Sequence, residues 1–237
     1  MGLAFATSFG KLLAYFAVCA ASALLLHRLA RVPREVFRKT LHLILVGSVF
    51  VFAYAFPTWW AAAAAAAAFA AAVYPLLALA ERYVPDYTEL LTERRQGEIK
   101  SSLVLAFTMF VALFLVCWGW AGERYLVVAA VLAWGPGDAA AALVGTRFGK
   151  HRIETGLLPG NKSLEGTTAM FAASFLCVAA VLSLHGAAGG YASLLIAAAT
   201  AAVTALVELY SRRGLDTLTC PLAAAAVLIA LVRLWGV

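Results

Sequence analysis

The sequence predicts an all-α, polytopic membrane bundle of about eight transmembrane helices with both termini non-cytoplasmic, and three observations carry the prediction. Of 237 residues, 64% are hydrophobic and 13% charged, with a mean hydropathy of +0.91; soluble domains run at roughly 45–50% apolar and about 25% charged. The apolar stretches recur at lengths near the ~20 residues that a helix needs to cross a bilayer, without the alternation of a membrane barrel. Lysine and arginine gather in alternate loops, as cytoplasmic loops do.

Bounded by charges and turn residues, the apolar runs fall at 8–27, 41–56, 58–80, 101–120, 125–146, 164–184, 189–209 and 217–235. The first resembles a signal-peptide core, but only Lys11 precedes it and no small-residue cleavage site comes before Arg28, so it reads as a span. Phe56-Pro57-Thr58-Trp59-Trp60 reads as an interfacial aromatic turn between spans two and three. The alanine run 61–68 in span three reads as a close-packing helix surface. Arg28, Arg31, Arg34, Arg38 and Lys39 follow span one, and Arg82, Arg94, Arg95 and Lys100 follow span three. Arg147, Lys150, Arg152 and Lys162 follow span five, and Arg212 and Arg213 follow span seven. Only Lys11, Arg124 and Arg233 remain for the other side, which assigns the basic loops to the cytoplasm.

The whole chain, 1–237, reads as one integral membrane domain. Its net charge of +6 sits at span ends, with no soluble domain to present it, so the pattern suits anionic headgroups and not nucleic acid. Cys19, Cys117, Cys177 and Cys220 lie in or beside apolar runs without zinc or disulfide spacing and read as small buried hydrophobes.

Asp138 is the costliest residue, an acid within span five in the stretch WGPGDAAAALVG. An acid in a span costs about 2.5–3.5 kcal/mol on insertion scales and marks function by default. It stands nine residues, about 13 Å along a helix, from Arg147. Gly135, Pro136 and Gly137 before it are expected to break or kink the helix. His42, Glu98, Lys100, Glu208 and Asp216 all fall at the same cytoplasmic ends. Taken singly, His42 suits an interfacial hydrogen-bonded histidine, Glu208 a snorkelling carboxylate or an i,i+4 partner of Arg212, and Asp216 a helix cap.

Gly160-Asn161-Lys162-Ser163 leads directly into span six. First-turn amides, the helix dipole and the Lys162 ammonium would then converge, which suits a phosphate. Ser163 alone would make an N-cap, but that explains neither Gly160 and Gly166 nor Lys162 and Glu165. The stretch is not a P-loop, because its spacing differs and no strand precedes it. Basic loops beside buried carboxylates are what phosphoryl transfer needs, since carboxylates hold Mg²⁺ while lysine and backbone donors offset phosphate charge. Composition and spacing thus point to a membrane enzyme acting on phosphates.

These pieces resemble a known family, the CTP-dependent lipid kinases that include dolichol kinase, phytol kinase and the fungal-type diacylglycerol kinase. The matching stretches are REVFRKTLHLILVG at 34–47, RRQGEIKSSL at 94–103, GDAAAALVGTRFGKHRI at 137–153, GNKSLEGTTAMF at 160–171 and VELYSRRGLDTLTCP at 207–221. The resemblance implies Mg²⁺-dependent transfer of the terminal phosphate of CTP to the hydroxyl of a membrane lipid alcohol (polyprenol, phytol-like alcohol or diacylglycerol), giving the lipid phosphate and CDP. It implies Asp138, Lys162 and His42 as catalytic residues and Asp138, Glu165 and Asp216 as metal ligands. The implied nucleotide-binding residues are Arg38, Lys39, Lys100, Gly145, Arg147, Lys150, Gly160, Asn161, Lys162, Ser163, Glu165, Gly166 and Thr167. It also implies a place in the cell inner membrane, with the active site on the cytoplasmic face. Asn161 stands where such proteins often carry a second lysine, and Thr217 where they often carry asparagine.

The nearest rival is a phosphatidate cytidylyltransferase, a CDP-lipid synthase, but that family looks larger, with a longer acidic and glycine-rich C-terminal signature than GLDTLTCP at 214–221. A proton- or ion-coupled transporter is the non-enzyme rival. It would call for repeat-related halves with matching interruptions, whereas the clear interruption falls at 135–137 only, and it would not need GNKSLEG.

Overall fold

The computed structural model describes residues 2–30, 32–84, 87–93, 96–153, 162–186, 189–211 and 214–235. Eight of its helices are long and apolar enough to cross a membrane. They are α1 (Gly2–Leu29), α2 (Arg34–Ala55), α3 (Trp59–Tyr83), α5 (Glu98–Leu113) with its π-helical continuation Phe114–Trp120, α6 (Arg124–Phe148), α7 (Leu164–His185), α8 (Gly190–Tyr210) and α9 (Asp216–Leu234). A short α4 (Tyr87–Leu90) precedes α5. All eight predicted spans appear, and the chain divides into two compact units, Met1–Ala112 and Leu113–Val237.

In the first unit the aromatic turn is as expected. Phe56 before Pro57 is extended (φ −95°, ψ 134°), as a residue before proline prefers, and α3 restarts at Trp59. Ala61, Ala62, Ala65, Ala66 and Phe69 are buried, spaced as one face of α3. The core is aromatic, with Phe16 on Phe69 (4.6 Å between centroids), Phe69 on Phe107 (5.1 Å) and Phe52 on Phe110 (5.2 Å). The Tyr15 hydroxyl donates to the Ile44 carbonyl (2.7 Å) and lies where a Cβ on Gly47 would stand, 2.5 Å away, so only glycine lets α1 and α2 approach there.

In the second unit α6 is the central helix, with Tyr125–Val131, Ala133–Gly135, Gly137 and Ala139 buried. It packs chiefly on α7 and then on α9, while α8 packs on α7 and α9. The expected break at 135–137 does not occur, and α6 runs unbroken through Pro136. Ser174 of α7 and Gly137 of α6 accommodate the proline. The Ser174 hydroxyl donates to the Ala133 carbonyl, the kind of neighbouring-helix donor that re-satisfies backbone next to a buried proline. Gly137 leaves room for that hydroxyl, because a Cβ there would stand 2.6 Å from Ser174 Oγ and 3.2 Å from Met170 Cγ. Gly137→Ala is therefore expected to destabilise the protein by about 1–3 kcal/mol through overpacking, seen as a lower Tm in detergent.

The buried face of α8 repeats every four residues through Ala192/Ser193, Ile196/Ala197, Thr200/Ala201 and Thr204/Ala205 and ends on Glu208. Thr200 and Thr204 turn their hydroxyls back to the carbonyls of Ile196 (2.8 Å) and Thr200 (2.7 Å), so the stripe carries no unpaired side-chain donor. At the opposite end of this unit Arg124 stacks over Trp118 (4.7 Å) and Arg233 over Trp120 (4.3 Å). Both arginines assigned to the non-cytoplasmic side thus share one aromatic girdle.

Candidate active site

The residues of the GNKSLEG stretch that the structure describes begin at Lys162; Gly160 and Asn161 lie outside the described residues. The entry to α7 is closed by short backbone ties. Arg152 bridges Ser163, the Ile153 amide donates to the Lys162 carbonyl (3.0 Å), and the Leu164 amide donates to the His151 carbonyl (3.0 Å). Ser163 is the N-cap, its buried hydroxyl accepting from the Gly166 amide at 3.1 Å. The Thr167 hydroxyl donates to the Ser163 carbonyl (3.1 Å). The Leu164 and Gly166 amides of the first turn are therefore occupied within the protein.

Gly145 and Gly166, predicted around the phosphate, have a packing reason, and Gly149 shares it. A Cβ on Gly145 would stand 3.3 Å from Ser163 Oγ, one on Gly166 would stand 3.0 Å from the Ala141 carbonyl, and one on Gly149 would stand 2.9 Å from Ser163 Oγ. Gly145, Gly149 and Gly166 let α6 and the start of α7 cross at near backbone contact, with the Ser163 hydroxyl between them. Arg147 and Lys150 are exposed beside this crossing, and Arg147 lies over Phe148.

Lys162 turns inward. Its ammonium pairs with the Glu208 carboxylate and also donates to the Glu208 carbonyl (3.2 Å). The lysine side chain keeps 25% of its exposure and the glutamate only 6%. Glu208 ends the buried stripe of α8 and holds the motif lysine from 46 residues away; Arg212, its expected i,i+4 partner, lies outside the described residues. Asp216 is the first residue of α9, following Gly214 at φ +81°, and is not the cap, since Leu215 holds that position. Asp138 is half-buried on α6. The buried Cys220 thiol, one turn after Asp216 on α9, donates to the Thr204 carbonyl (3.8 Å) one turn before Glu208 on α8, so Asp216 and the Lys162–Glu208 pair share the end where α8 and α9 meet, with Asp138 of α6 close enough to act on the same thiol.

Glu165 points elsewhere. Its carboxylate accepts from His151 Nδ1 (2.7 Å) and from the His151 amide (3.2 Å), latching the loop base to α7. His151 was not anticipated, and its 14-residue separation from Glu165 gives no local signal. Among the described residues no three His, Cys, Asp or Glu side chains are placed to hold a metal ion by themselves.

The first unit holds its own candidates. Arg38 pairs with Glu35 (2.8 Å) and reaches Glu98 (4.0 Å), and Lys100 pairs with Glu81. Lys39 is buried at 6% exposure, and His42 is half-buried one turn beyond Arg38.

Eight apolar spans and the motifs seated around Asp138, Lys162 and Asp216 define the class of protein, an integral-membrane lipid kinase. The chain is 32% identical over 223 residues to phytol kinase from Synechocystis sp., an alignment covering 93% of this chain and 90% of that protein. It belongs to the CTP-dependent lipid kinase family. No protein-family model and no solved structure matches it.

Proposed function

We propose that this protein transfers the terminal phosphate of CTP to the hydroxyl of a phytol-like isoprenoid alcohol, with Mg²⁺, on the cytoplasmic face of the membrane. The observation that carries the reading is the gathering of Asp138, Glu208 and Asp216 with Lys162 around Cys220, at the basic end of the second unit. The similarity to phytol kinase supports the choice of alcohol, and the distribution of basic loops supports the face.

Asp138 and Asp216 are the residues that would hold Mg²⁺, which would offset the charge of the bound phosphates. Lys162, partly exposed, directs its ammonium to the terminal phosphate, and Glu208 keeps that ammonium on station between turnovers. Lys150 and Arg147, exposed beside the α6–α7 crossing, attract the rest of the triphosphate. The alcohol oxygen forms a bond to the terminal phosphorus as the bond from that phosphorus to the bridging oxygen breaks, and CDP leaves. The hydroxyl proton passes to Asp138 where that carboxylate acts as base, the alternative to its role as metal ligand. Phosphoryl transfer asks the protein mainly for positioning and charge, which is what lysine and carboxylates on rigid helices supply.

The test is transfer from terminally labelled CTP, with ATP in parallel, by the purified protein and a panel of lipid alcohols with Mg²⁺ or EDTA. Label is expected in phytol, from CTP in preference to ATP, and none in EDTA. Pyrophosphate released on adding phosphatidate, with no labelled alcohol, would instead make the protein a CDP-lipid synthase.

A further inference from the structure

A groove of about 470 Å³ opens at the basic end of the second unit, lined by Leu206, Val207, Tyr210, Ser211, Leu215 and Thr219. Leu206, Tyr210 and Leu215 expose their side chains, so its walls are apolar and open sideways to lipid. Apolar surface alone is ordinary on a membrane protein, but the polar end of this groove is not. The Ser211 hydroxyl is within hydrogen-bond distance of the Val207 carbonyl (2.7 Å) and of Thr219 Oγ1 (2.9 Å), and Thr219 Oγ1 is in turn 3.0 Å from the Leu215 carbonyl. Each hydroxyl carries one proton. Both protons are taken up among these contacts, so the pair presents acceptor lone pairs outward, and an incoming O–H group would donate to one of them.

This end is also tied to the charged cluster. The Glu208 carbonyl accepts from the Ser211 amide (3.1 Å) and from the Lys162 ammonium (3.2 Å), so one oxygen joins the floor of the groove to the motif lysine. We infer that the groove between the end of α8 and the start of α9 seats the acceptor alcohol before transfer, its chain along Leu206 and Leu215 and its hydroxyl donating to the Ser211–Thr219 pair. The inference rests on the lipid kinase reading and deepens it. It selects a membrane-dissolved alcohol, because the groove offers an apolar trough that ends on a hydroxyl pair able to accept its O–H.

Two measurements test it. The wild-type protein, in vesicles and without nucleotide, is photolabelled with a long-chain alcohol bearing a diazirine on the chain. Label is expected within residues 206–219 and is expected to be competed by unlabelled phytol but not by a hydrocarbon of the same length. In the transfer assay Leu206→Trp, which fills the trough from a lipid-exposed position, should raise the KM for alcohol about tenfold while the KM for nucleotide stays within about twofold. Transfer that proceeds while label falls elsewhere and the Leu206→Trp KM for alcohol is unchanged would overturn the groove and leave the kinase reading standing. Absence of transfer to any alcohol by the wild-type protein would overturn the reading, and with it the role of the groove as a substrate seat.

Discussion

Asp138→Asn is expected to reduce phosphate transfer by about a thousandfold, within the range that loss of one catalytic carboxylate produces, while leaving the protein as stable as before or more so. Both halves follow from the surroundings of this residue. Asp138, Glu208 and Asp216 act on the same buried thiol, and three carboxylates in one neighbourhood repel one another. Among the described groups that act on that thiol Lys162 is the cation, and it is already paired with Glu208. Asparagine keeps the shape and the acceptor oxygen and removes one of the repelling charges. The measurement is the initial rate at saturating alcohol beside a thermal melt in the same detergent. Undiminished turnover would remove Asp138 from the chemistry.

The second large effect concerns the Lys162–Glu208 pair, and it is asymmetric. Lys162→Met leaves a carboxylate of 6% exposure without its cation, and breaking a buried pair this way costs about 3–5 kcal/mol. Glu208→Gln leaves an ammonium that still reaches a carbonyl and keeps a quarter of its exposure, so its cost should be nearer 1 kcal/mol. The double variant should recover part of the loss, with a coupling of about 2 kcal/mol. For a chain of this size each kcal/mol moves Tm by roughly 2–4 °C, so the three melts separate readily. Activity should follow a different order. Lys162→Met should lose transfer about a hundredfold with or without the second substitution, since stability can be restored by removing Glu208 but the phosphate-directed charge cannot. Equal melting shifts for the two single variants would contradict the burial difference on which this rests.

What was legible in the sequence depended on range. The eight spans and the turn at Pro57 rest on composition within a window, and each lies where expected. The alanine face of α3 was legible for the same reason. Glu208 was legible as a candidate but not as the partner of Lys162. The local view offers Arg212 four residues on, which lies outside the described residues, whereas Lys162 reaches Glu208 from the segment that leads into α7. The four-residue stripe from Ala192 to Ala205 did encode its burial, because Glu208 is the next position on that face. The unbroken course of α6 was hidden because a proline reads as a missing donor, while its accommodation comes from Ser174, 41 residues from the carbonyl it serves. The glycines of the motif illustrate a further limit. Gly145, Gly149 and Gly166 are readable as close approach, but a sequence does not say whether a ligand or another helix approaches; here Ser163 and the α6 backbone fill the space.

The stripe on α8 has a consequence for how this protein tolerates change. Successive residues of an α-helix are rotated by about 100°, since 3.6 of them complete a turn. The carboxylate that steadies Lys162 is aimed inward by phase alone, as the last step of a face that begins at Ala192. A single residue inserted or deleted anywhere between Ala205 and Glu208 would swing that carboxylate about a quarter-turn toward the lipid, although every side chain in the helix stayed the same. Near its substrate end, then, α8 is a helix in which length polymorphism is more damaging than substitution, and related chains should differ there in letters but not in count.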